Sequence, residues 1–147
     1  LWARLAVRTQ RRMEGYDQAT ADFGRDGQHL LTEQSSSFPL GGERLGQAMA
    51  RYPDLDGLFC TNDDVAVGAL LQCQAKWIPV PQQIAIAGSN ALDIGHAMTP
   101  KLASIVTPRK EIGREAAAML LARLSGQPLP DTRKDMGFSL YEGESLG

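Results

Sequence analysis

The chain has 147 residues, 43% hydrophobic and 22% charged, with 15 glycines, 8 prolines and a net charge of −2. These values suit an ordinary soluble globular domain, or a piece of a larger one, and exclude disordered, collagen-like and coiled-coil chains. With 15 Lys and Arg against 17 Asp and Glu there is no basic excess for a generic nucleic-acid or membrane-surface binder. No apolar run approaches the roughly 18 residues of a membrane span.

Over residues 9–23, Met13, Tyr16, Thr20 and Phe23 recur at helical spacing before the breaker Gly24. Residues 28–33, around Leu30 and Leu31, suit a strand, and residues 35–39 read as a loop. An amphipathic helix follows over 42–51, with Leu45, Ala48 and Met49 inward, until Tyr52-Pro53-Asp54 stops it. Leu58-Phe59-Cys60 is then a buried strand. Thr61-Asn62-Asp63-Asp64 offers capping side chains and acidic charge to a helix over 65–74 that is apolar on nearly all sides. Pro79 and Pro81 close the turn to a strand at 84–87, ended by Gly88. Residues 90–97 are loosely helical, and 102–106 form another strand. Pro108 opens a helix with Ile112, Ala116, Leu120 and Leu124 on one face, stopped by Gly126, and 134–141 is the last strand.

Strand and helix alternate with short connections. The expected fold is α/β, a mainly parallel sheet with helices on both faces. Ligands of such sheets bind beyond the carboxyl ends of the strands. That places candidate loops at 6–12, 34–38, 61–64, 89–93 and 107–109.

Those loops show little catalytic chemistry. His29 and His96 form no pair with metal-ligand spacing, and each reads as a surface residue. Ser35-Ser36-Ser37 lacks the G-x-S-x-G elbow of a serine nucleophile and reads as a polar loop or as hydroxyls for a ligand. The strand before Gly88 lacks the further glycines of a dinucleotide fingerprint. Asp63-Asp64 suits helix capping better than a cation site. Cys60 and Cys73 lie within apolar runs without a C-x-x-C pair, as inert core thiols of a reducing compartment do. No catalytic residue, metal site or cofactor is expected. The basic cluster Arg4, Arg8, Arg11 and Arg12 differs, because Arg8 and Arg12 share one side of a helix start. Their guanidinium forks suit a carboxylate or phosphate.

The segments 12–16 (Arg-Met-Glu-Gly-Tyr), 58–69 (from Leu-Phe-Cys-Thr-Asn-Asp-Asp), 80–88 (Val-Pro-Gln-Gln-Ile-Ala-Ile-Ala-Gly) and 100–105 (Pro-Lys-Leu-Ala-Ser-Ile) together resemble the effector-binding domain of the LacI/GalR repressor family. Glu33 to Ser37, Asp93-Ile94-Gly95 and Thr107-Pro108-Arg109 are similar to its gluconate-utilisation branch. The resemblance covers essentially the whole chain. It implies the C-terminal part of a two-lobed, periplasmic-binding-protein-like domain, without the DNA-binding head. Residues 1–107 and 132–147 would belong mostly to the C-terminal lobe, and the helix in 108–131 to the N-terminal lobe. Arg12, Asn62 and Asp63 fall on effector-contacting positions of the family. Asn90 stands where the family has a pocket Asp, which suits an anionic effector.

The expected function is therefore the effector-sensing part of a cytoplasmic sugar-responsive repressor, binding gluconate or a related sugar acid without turnover. Arg8, Arg12, Ser36, Asn62, Asp63, Asn90 and Arg109 are its candidate effector residues. A homodimer is expected through Val67, Leu71 and Met98, and DNA would be bound through an N-terminal domain absent from this chain. The competing readings are a periplasmic sugar-binding protein of the same fold and, behind it, a small α/β enzyme. A helix-turn-helix or a secretory signal ahead of this segment would separate the first two.

Overall fold

A computed structural model describes residues 7–128 and 131–147. In chain order it contains α1 (Val7–Asp22), α2 (Phe38–Arg51), β1 (Gly57–Phe59), α3 (Asp63–Ala75), β2 (Ala85–Ser89), α4 (Asp93–His96), β3 (Ala103–Val106), α5 (Arg109–Leu124) and β4 (Ser139–Tyr141). The strands lie side by side in the order β1-β2-β3-β4. The first three run parallel, with Leu58 opposite Ile86 and Gly88 opposite Ser104, and β4 returns antiparallel with Leu140 opposite Ile105. The sheet is thus mixed and mostly parallel.

Helix α3 is the centre of the fold. Asn62 caps it by accepting from the Val65 N–H at 3.1 Å, and Asp63 and Asp64 place negative charge against the positive end of its dipole. Ala66, Val67, Ala69, Leu70 and Cys73 are all buried. One side of α3 packs on β2 and another against α2. The α2–α3 contact needs glycine: a Cβ on Gly68 would strike the Phe38 carbonyl, and one on Gly41 the backbone of Val65. Leu45, Leu70, Ile84, Ile86 and Leu102 fill the core, each fully buried side chain contributing about 1.5–3 kcal/mol. Ser145 pins the end of the chain to the sheet, accepting from the Ala103 N–H at 2.8 Å and donating to the Ile86 carbonyl at 2.5 Å.

The flanking helices are held differently. Helix α5 has no buried residue, and Leu120, Leu121 and Leu124 are exposed. Helix α1 stands across a cavity of about 1130 Å³ from the edge of β1, with Arg12, Met13 and Tyr16 on one wall and Phe59, Ala85 and Ala87 on another.

Four sequence expectations change. Residues 28–33 form no strand: two leucines give too little alternating apolar surface to hold the segment against β1, and Leu31 is 56% exposed. Helix α2 begins at Phe38 rather than 42, because Ser37 caps it through the Leu40 N–H and Pro39 fits its first turn. The last strand shortens to three residues, since 134–138 carries no pairing. The fourth concerns Val67, expected on a pairing surface. It lies in the core with 1% exposure, because α3 is sandwiched between the sheet and its neighbouring helix. Leu71, 43% exposed, and the half-buried Met98 remain at the surface.

Candidate functional site

The carboxyl ends of the parallel strands open onto the segments 60–63, 89–92 and 107–109, as the topology requires. Asn62 does two things at the first of them. Its Oδ1 caps α3, and its Nδ2 donates to Ser36 Oγ at 2.5 Å, tying the serine loop to the helix start. Ser36, Thr61 and Arg12 line the same cavity. Arg12 is half-buried on α1 and makes no ion pair with a described residue. A guanidinium beside hydroxyl and amide groups can hold a carboxylate and order polyol oxygens.

Asp63 plays a different part. It is fully buried, and both carboxylate oxygens are taken by the protein: Oδ2 accepts from the Leu92 N–H at 2.6 Å, and Oδ1 from the Ser104 hydroxyl at 2.7 Å. Ser104 Oγ in turn accepts from the Ala91 N–H at 3.0 Å. Gly88 makes this approach possible, since a Cβ there would collide with Asp63 Oδ1. The carboxylate is held as a strut between α3, the β2–α4 loop and β3.

Asn90 lies in that loop with φ 120°, followed by Ala91 at φ 48°, and its N–H donates to the Ile105 carbonyl at 2.9 Å. Arg109, exposed at the start of α5, follows the same strand β3 that carries Ser104. Arg8 belongs to the first turn of α1, but its side chain lies outside the described residues, as does Arg4 altogether. The structure therefore joins Ser36 to Asn62, places Arg12 on the cavity that Ser36 also lines, keeps Asn90 in the loop after β2, and turns Asp63 inward.

Ser104 is the residue sequence reasoning missed. A hydroxyl between Ala103 and Ile105 in an apolar strand must find a partner when buried, and that was the available signal. Two further groups are passive. Burial, with the negative Asp63 nearby, pushes the Cys60 thiol up to about 12, and burial alone raises Cys73 to about 11. Neither is a thiolate nucleophile near neutral pH. Among the described residues, no group of three His, Cys, Asp or Glu side chains is placed to hold a metal ion, and no helix is long and apolar enough to cross a membrane.

A mostly parallel sheet with polar loops at the carboxyl ends of its strands is the arrangement in which α/β proteins hold ligands. Residues 2–146 match the periplasmic binding protein-like domain family, and the chain belongs to it. It is 47% identical over 146 residues to the HTH-type transcriptional regulator GntR of Escherichia coli strain K12, covering 99% of this chain and 44% of that protein. The HTH-type transcriptional regulator IdnR of the same strain is 42% identical over 140 residues, covering 95% and 42%. Among solved structures, transcription regulator GntR from Chromobacterium violaceum matches with a TM-score of 0.90 and 39% identity, over 93% of this chain and 51% of that one. The chain thus spans less than half the length of these curated relatives.

Proposed function

We propose that the chain is the effector-sensing part of a LacI-family transcriptional regulator, and that its effector is a small sugar acid such as gluconate, a ketogluconate or a phosphogluconate. The observation that carries this reading is Arg12. It is a half-buried cation without a described carboxylate partner, and it lines the same cavity as Thr61 and as Ser36, which Asn62 holds. A bound carboxylate would complete it, and the neighbouring hydroxyl and amide groups match the oxygens of a polyol. The similarity to GntR and IdnR supports the regulator, and the resemblance to gluconate-utilisation repressors supports the sugar acid.

The rest of the reading extends the same proposal. Residues 1–107 and 132–147 form most of one lobe, and the helix within 108–131, which has no fully buried residue here, docks on a second lobe. Arg109 then reaches the effector from the second wall. The protein works as a homodimer, for which Leu71 and Ile94 offer exposed apolar surface beside Met98, while Val67 supports that surface from beneath. Ligand is bound without turnover, in the cytoplasm, and the change in lobe angle is passed to DNA through an N-terminal domain.

A charge-assisted contact to a carboxylate contributes about 1.5–3 kcal/mol. Arg12→Ala should therefore weaken gluconate binding tenfold or more in calorimetric titration of the full-length protein. Neutral glucose should bind far more weakly than gluconate. Tighter binding of glucose, or unchanged affinity in the Arg12→Ala variant, would overturn the reading.

A further inference from the structure

From the hydrogen bonds around Asp63 we infer that Asp63 and Ser104 are positioning residues, which act on the effector through the strained backbone of the 89–92 loop. The inference rests on the effector reading above, and it assigns Asp63 a role other than contact. Asn90 and Ala91 take φ angles of 120° and 48°, the left-handed side of conformational space that L-residues avoid. Two such residues in succession persist only where the surroundings over-determine them. Here the surroundings are explicit. The three consecutive amides of Asn90, Ala91 and Leu92 are taken by the Ile105 carbonyl, the Ser104 hydroxyl and the Asp63 carboxylate.

The clamp is fully buried at its acid and its hydroxyl, where a polar group left unpaired is costly. It also reaches both functional segments. Asp63 follows the cap residue Asn62 that holds Ser36, and Ser104 lies on β3, five residues before Arg109. One buried pair thus fixes the register between the α3 start, the Asn90 loop and the strand leading to α5. Loss of the hydroxyl should let Asn90 and Ala91 relax to negative φ and shift the backbone that carries the Asn90 side chain.

The test uses full-length protein with Ser104→Ala, Ala91→Gly and the double variant, read by amide hydrogen exchange and by gluconate titration. Ser104→Ala should raise exchange at Ala91 and Leu92 at least tenfold and weaken gluconate binding at least fivefold. Ala91→Gly alone should bind as the wild type does. In the double variant glycine takes the positive φ without penalty, and gluconate affinity should recover at least threefold. A purely structural serine would give no such rescue. Unchanged exchange in Ser104→Ala would overturn the clamp, whatever the effector is. Faster exchange with unchanged affinity, or lost affinity that Ala91→Gly does not restore, would overturn the positioning role. Should wild-type protein fail to bind gluconate, the effector reading and the positioning role fall together, while the exchange data still decide the clamp.

Discussion

Helices α3 and α5 are close in length, follow parallel strands and carry comparable numbers of aliphatic side chains, yet they have opposite fates. Seven residues of α3 are buried and none of α5. The difference lies in what each helix meets. Small residues, Gly68 above all, let α3 approach α2 to backbone contact, while its opposite side settles on β2. The apolar side chains of α5 find no comparable surface within the described residues. Apolar content shows that a helix has something to bury; only a partner surface decides whether it does so.

The sharpest way to break this contrast is truncation of a leucine in each helix. Leu70→Ala should cost about 2–5 kcal/mol by urea denaturation, as expected for a filled core. Leu120→Ala in this chain should stay within about 0.5 kcal/mol. In the full-length protein, where we propose that α5 docks on the second lobe, the same substitution should become destabilising. A large effect of Leu120→Ala on this chain alone would show that α5 is packed here after all.

The thiols probe the packed half alone. A thiol whose folded value is raised holds its proton after the unfolded chain has released it. Stability from Cys60 and Cys73 is therefore intact below pH 9 and falls as pH rises from 9 toward about 11 and 12. Each contributes a slope of about 1.4 kcal/mol per pH unit in that window. Denaturation at pH 8 and pH 10 checks this. A disulfide-exchange reagent should leave both thiols untouched in native protein at pH 8 and titrate both after unfolding.

The ends of the two helices offer the smallest test. Each closes with the same pair of backbone bonds: Ile78 N–H to the Cys73 carbonyl and Trp77 N–H to that of Gln74 in α3, Gln127 N–H to the Ala122 carbonyl and Gly126 N–H to that of Arg123 in α5. The left-handed residue is Gly126 at φ 71° in α5 but Trp77 at φ 56° in α3. Trp77 is 91% exposed, so little packing offsets its backbone cost. Trp77→Gly should stabilise the protein by about 1 kcal/mol, read as a higher melting temperature. A lower one would reveal a contact made by the indole.

The same contrast explains what was legible in the sequence. The periodic apolar residues of α3, its Asn62 cap and the strand around Ile86 are local signals, and they placed the sheet and its helix correctly. The helix over 9–23 and the one opened by Pro108 were equally plain. The pairing of 28–33 was not, because a strand needs a neighbour that no local pattern specifies. The burial of Val67 was not, because its helix is apolar all round and its angular position is set by α2. In the candidate site, the serine loop that Asn62 holds and the half-buried Arg12 were visible as polar and basic segments of the sequence. The inward turn of Asp63 depends on Ser104, 41 residues away, and on the absence of a Cβ at Gly88. Contacts of that range are written in the fold rather than in any segment.

We propose that this chain supplies most of one wall of a two-walled effector site. Affinity in a cleft comes from both walls and from the water they exclude. Calorimetric titration of gluconate into this 147-residue chain and into the full-length protein, side by side, tests the claim directly. The prediction is measurable binding to the full-length protein and binding at least tenfold weaker to this chain. Equal affinity in both would contradict it, showing that one lobe suffices and that closure plays no part.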